Sequence, residues 1–230
     1  MSNRLRKNHY LKNWKNLFNL IIMNNLKIIL LALAVISITA FTYNNKENLT
    51  TGDGYKVGDI ATDFSLKNID GKMVSLADYK KAKGFIIIFT CNTCPVSVRN
   101  EDRILALDKK YKNSGFPVIA INPNNPAVQP GDSYELMKVR AKEKGFTFPY
   151  LFDDGQKIFP QYGASATPHV YILQKEKEGL KVKYIGGIDN SSRNPDTVTI
   201  KYAENAIDAL LEGKPIEVTK TRAIGCSIKV

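Results

Sequence analysis

The sequence predicts an α/β domain in which helices flank a mixed central β-sheet that begins with an N-terminal β-hairpin. An uninterrupted apolar run at residues 85–90 is typical of a central strand buried on both faces. Apolar residues at helical spacing follow it as far as Lys112. Within residues 64–76, the dipeptide Asp70-Gly71 separates two short strand-like segments, which is a hairpin signal.

The rest of the chain continues the alternation of strands and helices. Its patterns predict strands at 117–122, 148–152, 169–173 and 180–185, and helices at 134–144, 156–162 and 199–211. A loop rich in Pro, Asn and Gly at 123–132 connects two of these elements. This order fits one α/β domain with both parallel and antiparallel strand pairs.

The formal net charge of +11 suggests a nucleic-acid-binding protein at first sight. Six of the basic residues lie before residue 28, in a stretch without Asp or Glu, and removing them from that total leaves +5. In the remainder, acidic and basic residues alternate, and no basic helix carries interleaved aromatic residues. We therefore expect no nucleic-acid partner.

An uncharged apolar run at residues 28–41 has the length of a signal peptide and is short for a membrane span. The basic segment that begins at Met23 precedes it, so translation could start there, and Ala40 is a candidate cleavage position. We expect an exported protein whose leader is either cleaved or retained as an N-terminal membrane anchor. The domain would then face an oxidising, periplasmic or other extracytoplasmic compartment. A buried core helix is the structural alternative.

Four segments follow from these patterns. We predict a leader or anchor at 1–42, a polar linker at 43–57, a folded domain at 58–215 and a C-terminal extension at 216–230 that carries Cys226.

Two cysteines, Cys91 and Cys94, follow the predicted central strand at the point where a helix should begin. Cysteines three apart across a first helical turn lie on one face, within reach of a disulfide. The free N–H groups and positive dipole end of the helix stabilise a thiolate. This arrangement indicates redox chemistry, which requires no cofactor.

Pro95 predicts where the helix begins, because proline is tolerated only in a first turn. Asn92 and Thr93 are both good N-cap residues, so we expect the helix to start near one of them. Cys91 would then protrude ahead of the helix and act as the attacking thiol, with Cys94 as the resolving thiol.

Other interpretations of the cysteines remain at this stage. The pair could form a static disulfide or contribute to a zinc site, although the chain has no second paired spacing of ligands. A copper chaperone could use Cys91, Cys94 and His169. We assign no metal to the site. A further feature is Thr167-Pro168 at the entrance of a predicted strand, where a proline is permitted for structural reasons alone.

Taken together, the strand, the Cys-x-x-Cys motif, the Thr-Pro before a strand and the hairpin resemble the thioredoxin-like superfamily. Residues 55–230 are similar to peroxiredoxin-like redoxins, the alkyl hydroperoxide reductase and thiol-specific antioxidant family. The segments that carry the resemblance are 89–95, 122–126, 148–153, 166–168, 187–189 and 224–229. The resemblance implies a thioredoxin-like fold in which Pro168 is a cis-proline opposite the dithiol. It also implies that the backbone of Thr167 pairs with an incoming substrate chain.

The sequence departs from the peroxiredoxin pattern at two places. Cys94-Pro95 matches the peroxidatic Cys-Pro, but Cys91 stands where a Thr or Ser is expected. Thr167-Pro168 lies in the region where an Arg is expected. The chain therefore lacks the hydroxyl group and the cation that activate a peroxide at these positions. Disulfide exchange requires neither group.

The remaining candidate residues have less specific signals. Cys226 could be a resolving or relay thiol, a metal ligand or an inert residue. His169 is expected to pack beside the site rather than act as a base. Glu101 and Asp102 are expected on a solvated helix face.

We conclude that the chain is an exported thiol–disulfide oxidoreductase acting through Cys91 and Cys94. Its expected partners are protein thiols or disulfides and a redox protein that reduces or oxidises it. The alternatives are a thiol peroxidase using Cys94, with Cys91 or Cys226 resolving it, and a copper- or zinc-binding metallochaperone.

Overall fold

The computed structural model describes residues 54–230. The predictions for the leader at 1–42, the start at Met23 and most of the linker at 43–57 lie outside the described residues. Within residues 54–230, no helix is both long and apolar enough to cross a membrane.

The described part of the chain contains ten strands and four α-helices. The strands are β1 (Ile60–Ala61), β2 (Ser65–Asn68), β3 (Met73–Ser75), β4 (Gly84–Phe89), β5 (Val118–Asn122), β6 (Tyr150–Phe152), β7 (Ala166–Thr167), β8 (His169–Glu176), β9 (Gly179–Gly186) and β10 (Cys226–Ser227). The helices are α1 (Pro95–Tyr111), α2 (Tyr134–Lys144), α3 (Ile158–Tyr162) and α4 (Tyr202–Leu211).

Eight of these strands form one mixed sheet in the order β1-β9-β8-β4-β5-β6-β2-β3. The pairs β4–β5 and β5–β6 are parallel and the other pairs are antiparallel. The β2–β3 pair is the hairpin that the Asp-Gly dipeptide predicts. The predicted α/β domain with a mixed sheet and an N-terminal hairpin is therefore confirmed.

Strand β4 lies inside the sheet and is covered on both faces, as its apolar run predicts. Ile86 and Ile88 belong to a core formed with α1, α2 and α4. Phe85, Ile87 and Phe89 belong to a second core on the other face of the sheet. This core includes residues of α3 and of the segment 55–66 that precedes the hairpin turn. All five side chains are at most 2% exposed. This rigid strand fixes the position of the dithiol that follows it.

The prediction that Glu101 lies on a solvated face is wrong. Its side chain is 4% exposed and its carboxylate accepts hydrogen bonds from the Arg140 guanidinium at 2.6 and 2.7 Å. Lys144 adds a longer contact at 3.6 Å. These partners come from α2, so the ion pair joins the two helices on one face of the sheet. The neighbouring Asp102 is exposed, as expected.

The C-terminal extension packs along the domain. Its strand β10 pairs antiparallel with β7, with Cys226 opposite Thr167. Close to its N-terminal end, the extension forms a parallel β-bridge between Lys220 and Ile185 of β9. Strands as short as β7 and β10 carry no periodic pattern, so the sequence does not reveal them.

Candidate active site

The two cysteines lie in the connection between β4 and α1. The helix begins at Pro95, with Cys94 as its N-cap residue. The prediction that the helix starts near Asn92 or Thr93 is therefore wrong, and neither residue caps it. Pro95 occupies the first helical position, where the missing N–H costs nothing and the fixed φ suits the helix. Cys94 thus stands at the positive end of the helix dipole, closer than Cys91.

Asn92 and Thr93 instead bind Asp132, a fully buried carboxylate in a short 3₁₀ helix at Pro130–Asp132. Asp132 accepts hydrogen bonds from the backbone N–H groups of Asn92 at 2.7 Å and Thr93 at 3.1 Å, and from the Thr93 hydroxyl at 2.8 Å. The Asn124 amide also donates to it, at 2.6 Å. One carboxylate therefore holds the backbone between the two cysteines.

Two further contacts fix this turn. The Asn92 amide donates to the Gly131 carbonyl oxygen at 3.0 Å, and the Tyr150 hydroxyl donates to the Asn92 side-chain oxygen at 2.9 Å. A Cβ atom at Gly131 would lie 2.5 Å from the Thr93 methyl group, so a larger residue would push the two segments apart. The dithiol turn is thus packed against the loop at 123–132.

Thr167 and Pro168 lie opposite the dithiol, and the bond between them is cis, as the resemblance implies. The Cys94 Sγ lies 3.2 Å from the Thr167 carbonyl oxygen, to which the sulfur donates a hydrogen bond when it is protonated. The Cys91 Sγ lies 3.2 Å from the Thr167 hydroxyl oxygen. Instead of an incoming chain, strand β10 of the same molecule pairs with the Thr167 backbone.

The thiols of Cys91 and Cys94 are free, and each is the largest influence on the pKa of the other. Each residue is only 3% exposed, so the dithiol is covered rather than protruding as the sequence suggested. Strand β10 of the C-terminal extension pairs with Thr167 beside them.

The surroundings of Cys94 lower the pKa of its thiol. The largest cause is the hydrogen bond from the Cys91 thiol, and burial opposes it. The Cys226 thiol and the backbone N–H groups of Ser97 and Cys226 add smaller stabilising hydrogen bonds. Cys94 is therefore the residue that carries the thiolate.

The pKa of the Cys91 thiol is shifted in the opposite direction. Its hydrogen bond to Cys94 raises that pKa most, followed by burial and by the negative charge of Asp132. The Thr167 hydroxyl has a smaller, lowering effect. Cys91 is therefore the protonated member of the pair.

Cys226 is brought to the dithiol by strand β10. Its thiol and its backbone N–H both lower the pKa of the Cys94 thiol. Cys226 is half-buried, and burial followed by the contact with Cys94 raises the pKa of its thiol. Strand β10 thus brings the third cysteine of the chain beside the dithiol, which spacing alone could not predict.

His169 is buried beside the site and accepts a long hydrogen bond, 3.4 Å, from the Ser165 backbone N–H. Burial lowers its pKa to about 4, with a smaller contribution from the charge of Lys220. It is neutral near pH 7, in agreement with a packing role. A cleft of about 480 Å³ next to it runs beneath the extension, lined by Tyr171, Lys220 and Arg222 among others, but the three sulfur atoms do not line it.

Residues 54–230 contain no group of three or more His, Cys, Asp or Glu side chains placed to hold a metal ion. The arrangement of a stabilised thiolate, a protonated partner thiol and a third thiol is suited to disulfide exchange.

We predict that Asp132→Asn lowers the free energy of unfolding by about 2 kcal/mol, because charge-assisted hydrogen bonds to the dithiol turn are weakened. Urea unfolding measures the effect. Asp154→Asn, at an exposed position, is the control and should change stability by less than about 0.5 kcal/mol. Equal effects of the two substitutions would contradict the role of Asp132.

We predict that the reduced protein becomes more stable as pH rises from about 6.5 to about 7.5, a range well below the pKa of an unfolded thiol. In that range the unfolded state binds more protons, because the folded pKa of Cys94 is lowered. This stabilisation is lost as pH falls through the folded pKa. His169 contributes to the rise in the same way, because its folded pKa is about 4 while its unfolded form titrates near 6.5, and it does so with or without Cys94. Urea unfolding under reducing conditions should therefore show a steeper rise in the natural protein than in Cys94→Ser. Parallel curves would contradict the assignment of the thiolate.

Known proteins share this domain. A family model described as the AhpC/TSA family matches residues 57–184. The thiol-disulfide oxidoreductase ResA of Halalkalibacterium halodurans is 29% identical over 134 residues, which are 58% of this chain and 70% of that protein.

Solved structures agree with the fold. An uncharacterized conserved protein of Geobacillus kaustophilus is 38% identical, with a TM-score of 0.71, over 78% of this chain and 94% of that one. A proposed thiol:disulfide interchange protein DsbE of Chlorobium tepidum, at 23% identity and a TM-score of 0.54, covers 69% of this chain and 99% of its own and shows the fold alone. The fold is thioredoxin-like, and since the family model spans more than half of the 230 residues, the chain belongs to the AhpC/TSA family.

Proposed function

We propose that this protein is a thiol–disulfide oxidoreductase whose redox centre is the Cys91–Cys94 dithiol. The observation that carries the proposal is the unequal pair of hydrogen-bonded thiols at the start of α1, beside the cis bond of Thr167-Pro168. The name of the ResA relative, which shares 29% identity with this chain, supports the same activity.

In the reducing direction, the Cys94 thiolate attacks one sulfur of a disulfide and forms a mixed disulfide, while the other sulfur leaves as a thiolate. Cys91 then loses its proton and attacks the Cys94 sulfur. This step closes the Cys91–Cys94 bond and releases the second substrate thiol. Two electrons pass from the dithiol to the substrate disulfide, and the reverse sequence oxidises a substrate dithiol.

The order of attack proposed here is the reverse of the one that the sequence suggested. A lowered pKa gives Cys94 a large thiolate fraction at neutral pH and makes it a good leaving group. A raised pKa keeps Cys91 protonated until Cys94 is bound in a mixed disulfide and no longer needs its hydrogen bond.

The partners that fit this chemistry are protein thiols or disulfides and a second redox protein that restores the dithiol. The reaction uses sulfur atoms of the chain alone and needs no cofactor. The direction of electron flow depends on the reduction potentials of this centre and of its partners.

The thiol peroxidase alternative is less well supported by the contacts of Cys94. The groups described above that stabilise its thiolate are thiols and backbone N–H groups, which carry no formal positive charge. Cys91 occupies the place of the hydroxyl group that the peroxiredoxin pattern provides. Cleavage of a peroxide bond requires stabilisation of a developing oxyanion, whereas a thiolate leaving group requires less.

We predict that the reduced protein accelerates reduction of insulin disulfides by dithiothreitol, and that Cys94→Ser lowers the rate at least 100-fold by removing the thiolate. Turbidity of the precipitating insulin chains measures the rate, and circular dichroism checks that the variant is folded. A Cys94→Ser variant that retains a tenth of the rate would contradict the proposal. Fast Cys94-dependent consumption of hydrogen peroxide, with little insulin reduction, would favour the peroxidase instead.

We also propose that the protein is exported. The apolar run at 28–41, preceded by the basic segment at 23–27, supports this location. A disulfide-exchange centre has partners in an oxidising compartment, where structural disulfides form.

We predict that residues 1–57 direct fused alkaline phosphatase out of a bacterial cytoplasm, where this reporter becomes active. A fusion that begins at Met23 should be equally active, because the basic segment and the apolar run are both retained. Leu31→Arg and Leu33→Arg together interrupt the apolar run and should abolish the signal. Comparable activity of this double variant would overturn the export proposal.

A further inference from the structure

The dithiol is buried, and strand β10 of the C-terminal extension lies beside it. Cys91 and Cys94 are each 3% exposed, and Thr167 beside them is fully buried. Disulfide exchange with a protein requires a partner sulfur to approach along the bond that breaks. A partner of protein size therefore cannot meet either sulfur directly while β10 is in place.

Cys226 lies beside the dithiol and is more exposed than either of its cysteines. It pairs with Thr167, whose carbonyl oxygen lies 3.2 Å from the Cys94 sulfur, and the residue is half-buried. Its thiol and its backbone N–H also lower the pKa of Cys94. Its position follows from the pairing of β10 with β7, which sets Cys226 opposite Thr167. The thiol thus lies between the buried pair and the surface.

The approach of this strand depends on Gly225. A Cβ atom at that position would lie 2.0 Å from the Thr167 carbonyl oxygen, which is far too close for any side chain. The carbonyl oxygen is the same atom that the Cys94 thiol contacts. Glycine before Cys226 is therefore what lets the extension reach the dithiol.

The extension is fastened on both sides of Cys226. Before it, the Thr221 backbone N–H donates to the Ile185 carbonyl oxygen at 2.9 Å, and the Thr221 and Tyr184 hydroxyl oxygens lie 2.7 Å apart. After it, the Lys229 backbone N–H donates to the Asn124 side chain at 2.9 Å. A segment anchored at both ends is built to hold its central thiol in place, rather than to swing away from the site.

We propose that Cys226 is a third redox-active cysteine, which relays disulfides between the buried dithiol and a partner at the surface. This inference rests on the proposed function, and for partners of protein size it replaces direct attack by Cys94 with exchange through Cys226. In the oxidised protein, the Cys226 thiolate attacks the Cys94 sulfur, so the Cys94–Cys226 bond forms and the Cys91–Cys94 bond breaks. Cys91 leaves as a thiolate and takes up a proton. One disulfide replaces another, so no outside oxidant or reductant is consumed.

Exchange with the partner then takes place at the half-exposed sulfur. A partner thiolate attacks Cys226 and forms a mixed disulfide with it, and Cys94 leaves as its stabilised thiolate. A second partner thiol attacks the mixed disulfide, which releases Cys226 and leaves the partner oxidised. Run backwards, the same steps deliver a partner disulfide to the Cys91–Cys94 pair.

The first test maps the disulfides that each single variant of the full chain forms with one equivalent of diamide. Acid quenching, alkylation and peptide mass spectrometry identify the bonds. Cys91→Ser should yield a monomer with a Cys94–Cys226 disulfide, and Cys226→Ser should yield Cys91–Cys94. Cys94→Ser, the control, should form no internal disulfide. Free thiols or intermolecular dimers in oxidised Cys91→Ser would overturn the relay, while a Cys91–Cys94 bond in Cys226→Ser would leave the proposed function standing.

The second test compares rates of insulin reduction. Cys226→Ser should be at least tenfold slower than the natural protein, because the buried dithiol loses its connection to the surface. Ser227→Ala, at the next and exposed position of β10, should stay within twofold. If Cys226→Ser is as fast as the natural protein or faster, the extension only covers the site and the relay is wrong.

Discussion

The active site depends on Thr167, because this one buried residue sets the positions of all three cysteines. Its carbonyl oxygen contacts the Cys94 sulfur, its hydroxyl contacts the Cys91 sulfur, and its backbone pairs with Cys226. The adjacent cis bond to Pro168 is part of the same short segment. The geometry of the site is therefore set by a contact between distant parts of the chain, and not by the Cys-x-x-Cys spacing alone.

The two cysteines of the Cys-x-x-Cys motif have thiols with very different pKa values, because the groups around each thiol differ. Cys94 stands at the helix N-terminus among hydrogen-bond donors, whereas Cys91 lies deeper and faces the charge of Asp132. Asp132 has two effects that come from one position. It binds the backbone of the turn between the cysteines, and it opposes a second negative charge in the pair. The turn is thus held in place by the same group that makes the thiols unequal.

Local patterns in the sequence were sufficient for the main elements, because each depends on neighbouring residues. The apolar run of β4, the helical spacing of α1 and the Asp-Gly hairpin belong to this class. Asp132 could not be found in this way, since its partners lie about 40 positions away and its own loop resembles an ordinary connection. The burial of Glu101 depends equally on Arg140 from another helix. Cys226 was recognised as a candidate, but its contact with Cys94 requires a two-residue strand that has no sequence signature.

The chemistry of this AhpC/TSA domain is decided by what stands next to Cys94. A peroxide substrate places a developing negative charge on a small oxygen atom, which calls for a cation or a hydroxyl group close by. Here the neighbouring groups are two other thiols and the backbone N–H groups of Ser97 and Cys226. Such donors suffice for a sulfur anion, because its charge is spread over a large atom. The two thiols can also form disulfide bonds with Cys94. The same scaffold thereby favours the exchange of one sulfur partner for another over attack on oxygen.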